Sequence, residues 1–397
     1  MKRTMVITLA AVTAVSGANI DEAFKSGTVS AQIRAAYIDQ DNAIGADTYG
    51  TAVGGQLKYE TGTWNDIKLG VAAYVSQKLS FATGDNENAN NDLFANNADS
   101  YVYLGEAYID YAVNDFALRI GRQKIDTPLA DTDDIRMHPN TFEAAIATYK
   151  GFEGTTLVGG VVKRFAGYDS GNDISEFKKL DGADSHGAAV AGIVNESIEN
   201  LAFQGWYYGI DNMANVFYTD AMYAMALSET SGIEVAAQFG QFNESLNSTI
   251  DGTVYGVGAS FNIDRLTVGA AYNKVNSDTG KAIVNGFGGG PYFTSMEEMT
   301  IDGLEDAKAY QLNAELDMSG AGIEGLTLAA LYGNFKGKTG GLDSKVSEFD
   351  VILAYELNEN ICADMSYATI DDKNKNTGDA GTDGGYDRFL VRLTYSF

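Results

Sequence analysis

Tyr386-Asp-Arg-Phe-Leu-Val-Arg-Leu-Thr-Tyr-Ser-Phe397 is the stretch whose reading decides the fold. From Phe389 onward every odd position is large and apolar (Phe389, Val391, Leu393, Tyr395, Phe397), while Arg388, Arg392, Thr394 and Ser396 stand at even positions. Successive side chains of a strand point to opposite faces, so one face of this segment suits oil and the other suits water. The terminal aromatics Tyr395 and Phe397 are then expected in the interface belt of a bilayer. A strand of this kind is a wall element of a transmembrane barrel.

The other end of the chain is consistent with export. Met1-Lys2-Arg3 is a positive start, Thr4 to Val15 an apolar run, and Ser16-Gly17-Ala18 a small-residue cleavage site, so 1–18 reads as a signal peptide and 19–397 as one domain. That apolar run is too short to span a bilayer as a helix, and nothing later in the chain is longer, so any spanning falls to strands. The formal charge of -27 disfavours non-specific nucleic-acid binding, which needs a basic face. Cys362 is the single cysteine, which excludes a disulfide framework and a thiolate metal site. Forty-five glycines, 23 tyrosines and 19 phenylalanines against 3 prolines suit many strands with tight bends and aromatic girdles. A mean hydropathy of -0.15 fits as well, because only alternate residues of a barrel meet lipid.

Period-two segments of about ten residues recur along the whole chain, the first at 27–39 and the last at 386–397. They predict an all-β fold, a transmembrane antiparallel β-barrel of about 18 strands. Short connections such as Val113-Asn-Asp115 and Asn262-Ile-Asp264 alternate with long ones, among them the gap between strands at 325–336 and 346–357. An even count places both termini at the short-turn end, which is periplasmic in a bacterial outer membrane. In the segment Ser100–Tyr111 one face carries Tyr101, Tyr103, Ala107, Ile109 and Tyr111, and the other Glu106, Tyr108 and Asp110. Burying Glu106 and Asp110 without partners is costly, so the second face is expected to line a water-filled bore.

Arg119-Ile-Gly-Arg-Gln-Lys-Ile-Asp-Thr-Pro128 runs on to Pro139-Asn-Thr-Phe-Glu143. With Gly121-Arg122, Pro139–Glu143, Ile20-Asp-Glu-Ala-Phe24 and the terminal Phe397, the mature chain resembles the Opr (OprD-type) outer-membrane porins. The resemblance implies that about 125–141 folds into the barrel as a constriction loop, with Asp126, Asp131, Asp133, Asp134 and Arg136 at the eyelet. It also implies a basic ladder on the facing inner wall, for which strand parity supplies Arg34, Lys58, Arg119, Arg388 and Arg392. Arg122 shares parity with Leu118 and Ile120, which turns it away from the bore unless a bulge intervenes. A homotrimer is implied by the resemblance alone.

The expected function is passive diffusion of ions and small hydrophilic solutes, with cation preference suggested by the acidic excess. The alternative is a substrate-specific channel for small carboxylates, amino acids or peptides. Outer-membrane lipid and lipopolysaccharide are the expected surroundings. Asp131, Asp133 and Asp134 carry oxygens of the type a structural Ca²⁺ takes, but the stretch lacks the glycine and distal glutamate of an EF-hand loop; no other cofactor is expected. His138 and His186 fall in predicted loops, read as surface positions, and neither has a nucleophile motif beside it, which argues against a hydrolase. A filled structural anchor is disfavoured by the strand number, since 16 to 18 strands leave an aqueous bore.

Overall fold

The computed structural model describes residues 19–171, 173–180, 185–246, 248–373 and 384–397, so the expected leader 1–18 lies outside the described residues. A short helix α1 (Ile20–Lys25) precedes strands β1 (Thr28–Asn42), β2 (Thr48–Glu60), β3 (Ile67–Lys78), β4 (Tyr101–Val113), β5 (Phe116–Gln123), β6 (Thr141–Phe152) and β7 (Thr155–Ala166). Next come β8 (Lys178–Lys179), β9 (Ala188–Ile198), β10 (Leu201–Ile210), β11 (Ala214–Ala226), β12 (Ser231–Glu244) and β13 (Gly252–Ile263). The chain finishes with β14 (Leu266–Asn276), β15 (Glu305–Asp317), β16 (Leu326–Thr339), β17 (Leu342–Glu356), β18 (Ile361–Asp372) and β19 (Tyr386–Ser396).

These strands form one antiparallel sheet in which each pairs with its sequence neighbour. The two-residue β8 is an appendage on the end of β7, and β7 also pairs directly with β9, so the wall has eighteen strands. β1 pairs with β2 on one side and with β19 on the other, in register from Gln32↔Ser396 to Asn42↔Tyr386. That seam closes the sheet into a ring. In hydrocarbon an unpaired sheet edge has no water to satisfy its backbone groups, so closure is what lets strands span at all.

Side chains alternate as the terminal strand predicts. On β1, Val29 and Ile33 are exposed on the outside while Arg34, Ala36 and Ile38 are buried inside. Leu57, Ile109, Val257, Leu312 and Leu393 continue an exposed apolar outer surface around the ring. A contiguous apolar surface of this extent is a lipid-facing band. Tight turns with left-handed residues at Asn114, Asn200 and Asp264 lie at the end that holds both termini, where Phe397 N–H donates to Ala31 O. The connections 79–100, 124–140, 167–187 and 277–304 lie at the other end.

Two sequence expectations change. Pairing of β3 with β4 skips Gly105, from Ala73↔Leu104 to Ala72↔Glu106, and this bulge reverses the parity beyond it. Tyr101 and Tyr103 therefore share the inner face with Glu106, Tyr108 and Asp110, and Val102 and Leu104 take the outer one. The long gap expected between 336 and 346 is absent as well. β16 and β17 extend to a two-residue turn, Gly340-Gly341, with φ of 56° and 80° at the two glycines. Glycine adopts consecutive left-handed conformations at low cost, and such a turn matches the twist of the hairpin.

Placing a charge on the outer band tests the orientation of the wall. Val257→Arg, mid-strand on β13, is expected to lower stability in lipid by about 2–4 kcal/mol, while Gln56→Arg on the inner face changes it little. Equilibrium unfolding in vesicles reads this, and equal stability of the two variants contradicts the assignment of faces.

Candidate pore constriction

At the end of β5 the buried Gln123 ties strand to neighbour, its Nε2 donating to Arg119 O, Gly121 O and Ala144 O at 3.1, 3.3 and 3.1 Å. The following loop, 124–140, turns into the barrel one residue earlier than expected and ends where β6 begins at Thr141. Its apolar residues Ile125, Leu129, Ala130 and Met137 are buried, which a loop in bulk solvent does not permit. Leu129 N–H donates to Tyr208 Oη on β10 at 3.3 Å. At the far end His138 Nε2 meets Val75 O on β3 at 2.8 Å, with its ring stacked 4.9 Å from Tyr74 and edge-on to Tyr101 at 5.7 Å. His138 is thus a buried wedge, not the surface histidine expected from sequence. Burial pushes its imidazole down to about 4, so it is neutral at pH 7 and donates through Nε2.

A second loop, 277–304, also crosses the interior, and the sequence reading assigned it no role. Phe287 N–H donates to Leu129 O at 2.9 Å and Asp131 N–H to Phe287 O at 3.2 Å, a short backbone zip between the two loops. Gly288 permits the approach: its φ is +89°, and a Cβ there would lie 2.3 Å from Asp131 O. Further along, Pro291 O accepts from Gln238 Nε2 at 2.8 Å, and Thr294 donates through N and Oγ1 to Asn273 Oδ1. Glu298 N–H and Met299 N–H then donate to the Glu348 carboxylate on β17 at 2.9 and 2.7 Å. The signal for this inward fold lies in the loop's composition, since Ile283, Phe287, Tyr292 and Ile301 are all buried. With Leu129, Phe142, Phe165, Trp206 and Tyr208 they make a dry cluster against one side of the wall. The interior is therefore not wet throughout; a smaller apolar cluster of Ile38, Leu93, Phe94, Met137 and Leu390 lies against β1 and β19, and charged groups gather beside it on β1 to β5 and β19.

Arg34, Lys58, Arg119, Arg388 and Arg392 stand on this side, and each meets a carboxylate. Arg34 makes a two-pronged contact with Asp134, Nη1–Oδ1 2.6 Å and Nη2–Oδ2 2.8 Å. Arg392 Nε donates to Asp364 at 2.6 Å and its Nη1 to the carbonyls of Asp134 and Arg136. Lys58 lies 3.1 Å from Glu106, which also accepts from Tyr74 Oη. Arg119 pairs with Asp110 at 2.8 Å and sits over the Tyr108 ring. Arg388 contacts both Asp92 and Glu298, and the buried Arg136 meets the same two acids at 3.4 and 3.2 Å while lying over Tyr168. This knot joins the loops 79–100, 124–140, 167–187 and 277–304 to β19. Asp92, Asp364 and Glu298 were not among the residues singled out from sequence, and only the fold brings them here.

The acidic loop residues divide into three environments. Burial would raise Asp134, but the Arg34 guanidinium outweighs it and holds the carboxyl below its ordinary value. Asp133, left-handed at φ 33°, is pushed up to about 7, by burial first and then by Asp169 and Asp131. Asp126 is exposed, accepts from Thr132 N–H at 3.4 Å, and lines a cavity of about 110 Å³ with Arg119, Lys124 and Trp206. The calcium candidate does not assemble. Asp134 is engaged by Arg34, and among the described residues no group of three or more His, Cys, Asp or Glu side chains, Asp131, Asp133 and Asp134 included, could hold a metal ion.

Comparison with known proteins agrees with this architecture. Pseudomonas aeruginosa OpdK, in a crystal structure with vanillate, superposes with a TM-score of 0.81 at 19% identity over 94% of this chain and 99% of that one. Acinetobacter baumannii OccAB2 gives 0.83 at 18% identity over 95% and 99%, and P. aeruginosa OccK9 (OpdG) 0.81 at 19% over 94% and 99%. No curated protein sequence matches. A family model described as outer membrane porin, OprD family, matches residues 23–397, and the chain belongs to that family.

Proposed function

We propose that this porin passes small hydrophilic solutes and ions passively and prefers cations, with its termini periplasmic and its long loops outside. The observation that carries the reading is the pairing of the inner-wall cations. Arg34, Lys58, Arg119, Arg136, Arg388 and Arg392 each meet a carboxylate within 4 Å, so their field on a passing ion is largely cancelled. Asp126 and Asp169 are instead held by neutral donors, Thr132 N–H and Asn140 Nδ2, and Asp133 adds charge once it ionises. A narrow passage with residual negative charge favours cations. A carboxylate-reading channel is the competing assignment, for which the vanillate in the OpdK crystal is the one favouring observation.

Reversal potentials in a salt gradient separate the two readings, since anion preference removes the first. Asp133→Asn is expected to lower cation preference, and Arg392→Gln, which releases Asp364 from its partner, to raise it; identical potentials in all three proteins remove both residues from the eyelet. The wild type adds a pH signature. Because the Asp133 carboxyl is raised to about 7, it is neutral below that pH and negative above it, so cation preference is expected to climb between pH 6 and 8 and to stay flat in Asp133→Asn. The sign for stability is opposite. A carboxyl raised in the fold stabilises the loop fully below the ordinary value near 4, and that contribution is lost as pH passes 7.

The ionic knot sets the bore. Arg388→Gln takes one of two paired guanidinium groups from Asp92 and Glu298, leaving that of Arg136, and losing one partner of a buried pair costs about 3–5 kcal/mol. Larger single-channel conductance, from loops no longer held to β19, is the expected outcome; unchanged conductance would mean that other contacts hold the loops in place.

A further inference from the structure

The outer wall carries one feature that conduction does not use. Arg122, Glu143, Arg164 and Lys179 occupy directly paired positions on β5, β6, β7 and β8, in the register Arg122↔Glu143, Glu143↔Arg164 and Arg164↔Lys179. Cross-strand partners share a face, so the four side chains leave the same side of the sheet. That side is the lipid side. Ile120, two residues before Arg122, is 50% exposed, and Tyr149 on the parity of Glu143 is exposed beside Phe116. The inner positions Phe142, Ala144, Val162 and Phe165 are buried in the dry cluster. β7 carries an extra residue here, Lys163, because the register jumps from Glu143↔Arg164 to Ala144↔Val162. The row lies at the long-loop ends of its strands, above the apolar band.

Arg164 and Lys179 of this row, with Lys163 and Glu143, line a cleft of about 390 Å³ closed by the buried Ser185 and by His186, with Lys163 Nζ donating to His186 O. Glu143 is the acid shared by Arg122 and Arg164, at 3.8 and 3.5 Å, separations too long for tight hydrogen-bonded pairs. The Arg164 side chain remains 48% exposed. A basic row on a chain of net charge -27 stands out, and charge on a lipid face is tolerated only near the interface. Guanidinium and ammonium groups at that height match phosphate, arginine by two-pronged hydrogen bonding and lysine as a point charge.

Resting on the reading that the long loops are external, we propose that the cleft of Lys163, Arg164 and Lys179, flanked by Arg122, binds a phosphate group of an outer-leaflet lipid. The lipid tails then lie on the apolar band that includes Ile120 and Val161, and the headgroup phosphate enters the cleft.

Native mass spectrometry of the detergent-purified barrel tests this, with a bis-phosphorylated diglucosamine glycolipid and the same lipid after phosphatase treatment as probes. The phosphorylated lipid is expected to bind, its dephosphorylated form at least about tenfold more weakly, and equimolar inorganic phosphate is expected not to displace it. Arg164→Gln combined with Lys179→Gln should weaken binding about tenfold. Lys150→Gln, at the opposite rim, should not. Equal binding of both lipids, equal binding by the double variant, the same loss in Lys150→Gln, or displacement by inorganic phosphate overturns the proposal. Single-channel conductance is read on the same preparations. A conducting double variant confirms its fold, and a conducting wild type that binds both lipids equally removes the lipid site without touching the channel reading.

Discussion

A strand inside hydrocarbon has to find partners for all its peptide groups within the sheet, and the seam between β1 and β19 is where that requirement is met or fails. The rest follows from it. A ring of eighteen strands has an inside and an outside, and a period of two sorts every residue between them. The charges on the wall all depend on that sorting. Arg34 reaches Thr394 Oγ1 across the seam at 3.1 Å and Asp134 beyond it, so the closing ladder also positions the first member of the polar side.

Inside the ring two kinds of packing compete. Against β6, β7 and β10 the loops bury aromatic and aliphatic side chains, which stabilises them by removal of apolar surface from water. Against β1 and β19 they are held by a smaller apolar cluster around Ile38, Leu93, Phe94, Met137 and Leu390 and by arginines, each of which must recover in ion pairs what it loses in hydration. The loop 124–140 spans both regimes. Leu129 anchors it on the dry side, while Asp134 and Arg136 anchor it on the charged side. Between these anchors the Asp133 carboxyl is raised by burial and by its neighbours Asp169 and Asp131.

The wall was legible in the sequence because alternation is a local signal that each strand repeats. The terminal strand alone placed Arg388 and Arg392 inside and Leu393 and Tyr395 outside, as the structure has them. Where one residue breaks the period the reading failed, as at Gly105, because nothing local distinguishes a bulged glycine from a paired one. The 340–341 turn was missed for a related reason: polar residues on both sides of it looked like loop although they pair to Thr339↔Leu342. The interior was legible only in part. Resemblance pointed to about 125–141, but the second crossing loop, the burial of His138 and the acids Asp92, Glu298 and Asp364 depend on contacts between segments up to about three hundred residues apart, which no local pattern encodes.

The knot of Arg136, Arg388, Asp92 and Glu298 belongs at once to a strand and to three loops, and its charges balance only as a set. Withdrawing any one loop strands an opposite charge in a poorly hydrated place. A displacement that breaks only some of these pairs is thereby penalised more than one that carries the set together, which ties the three loops into one mechanical unit.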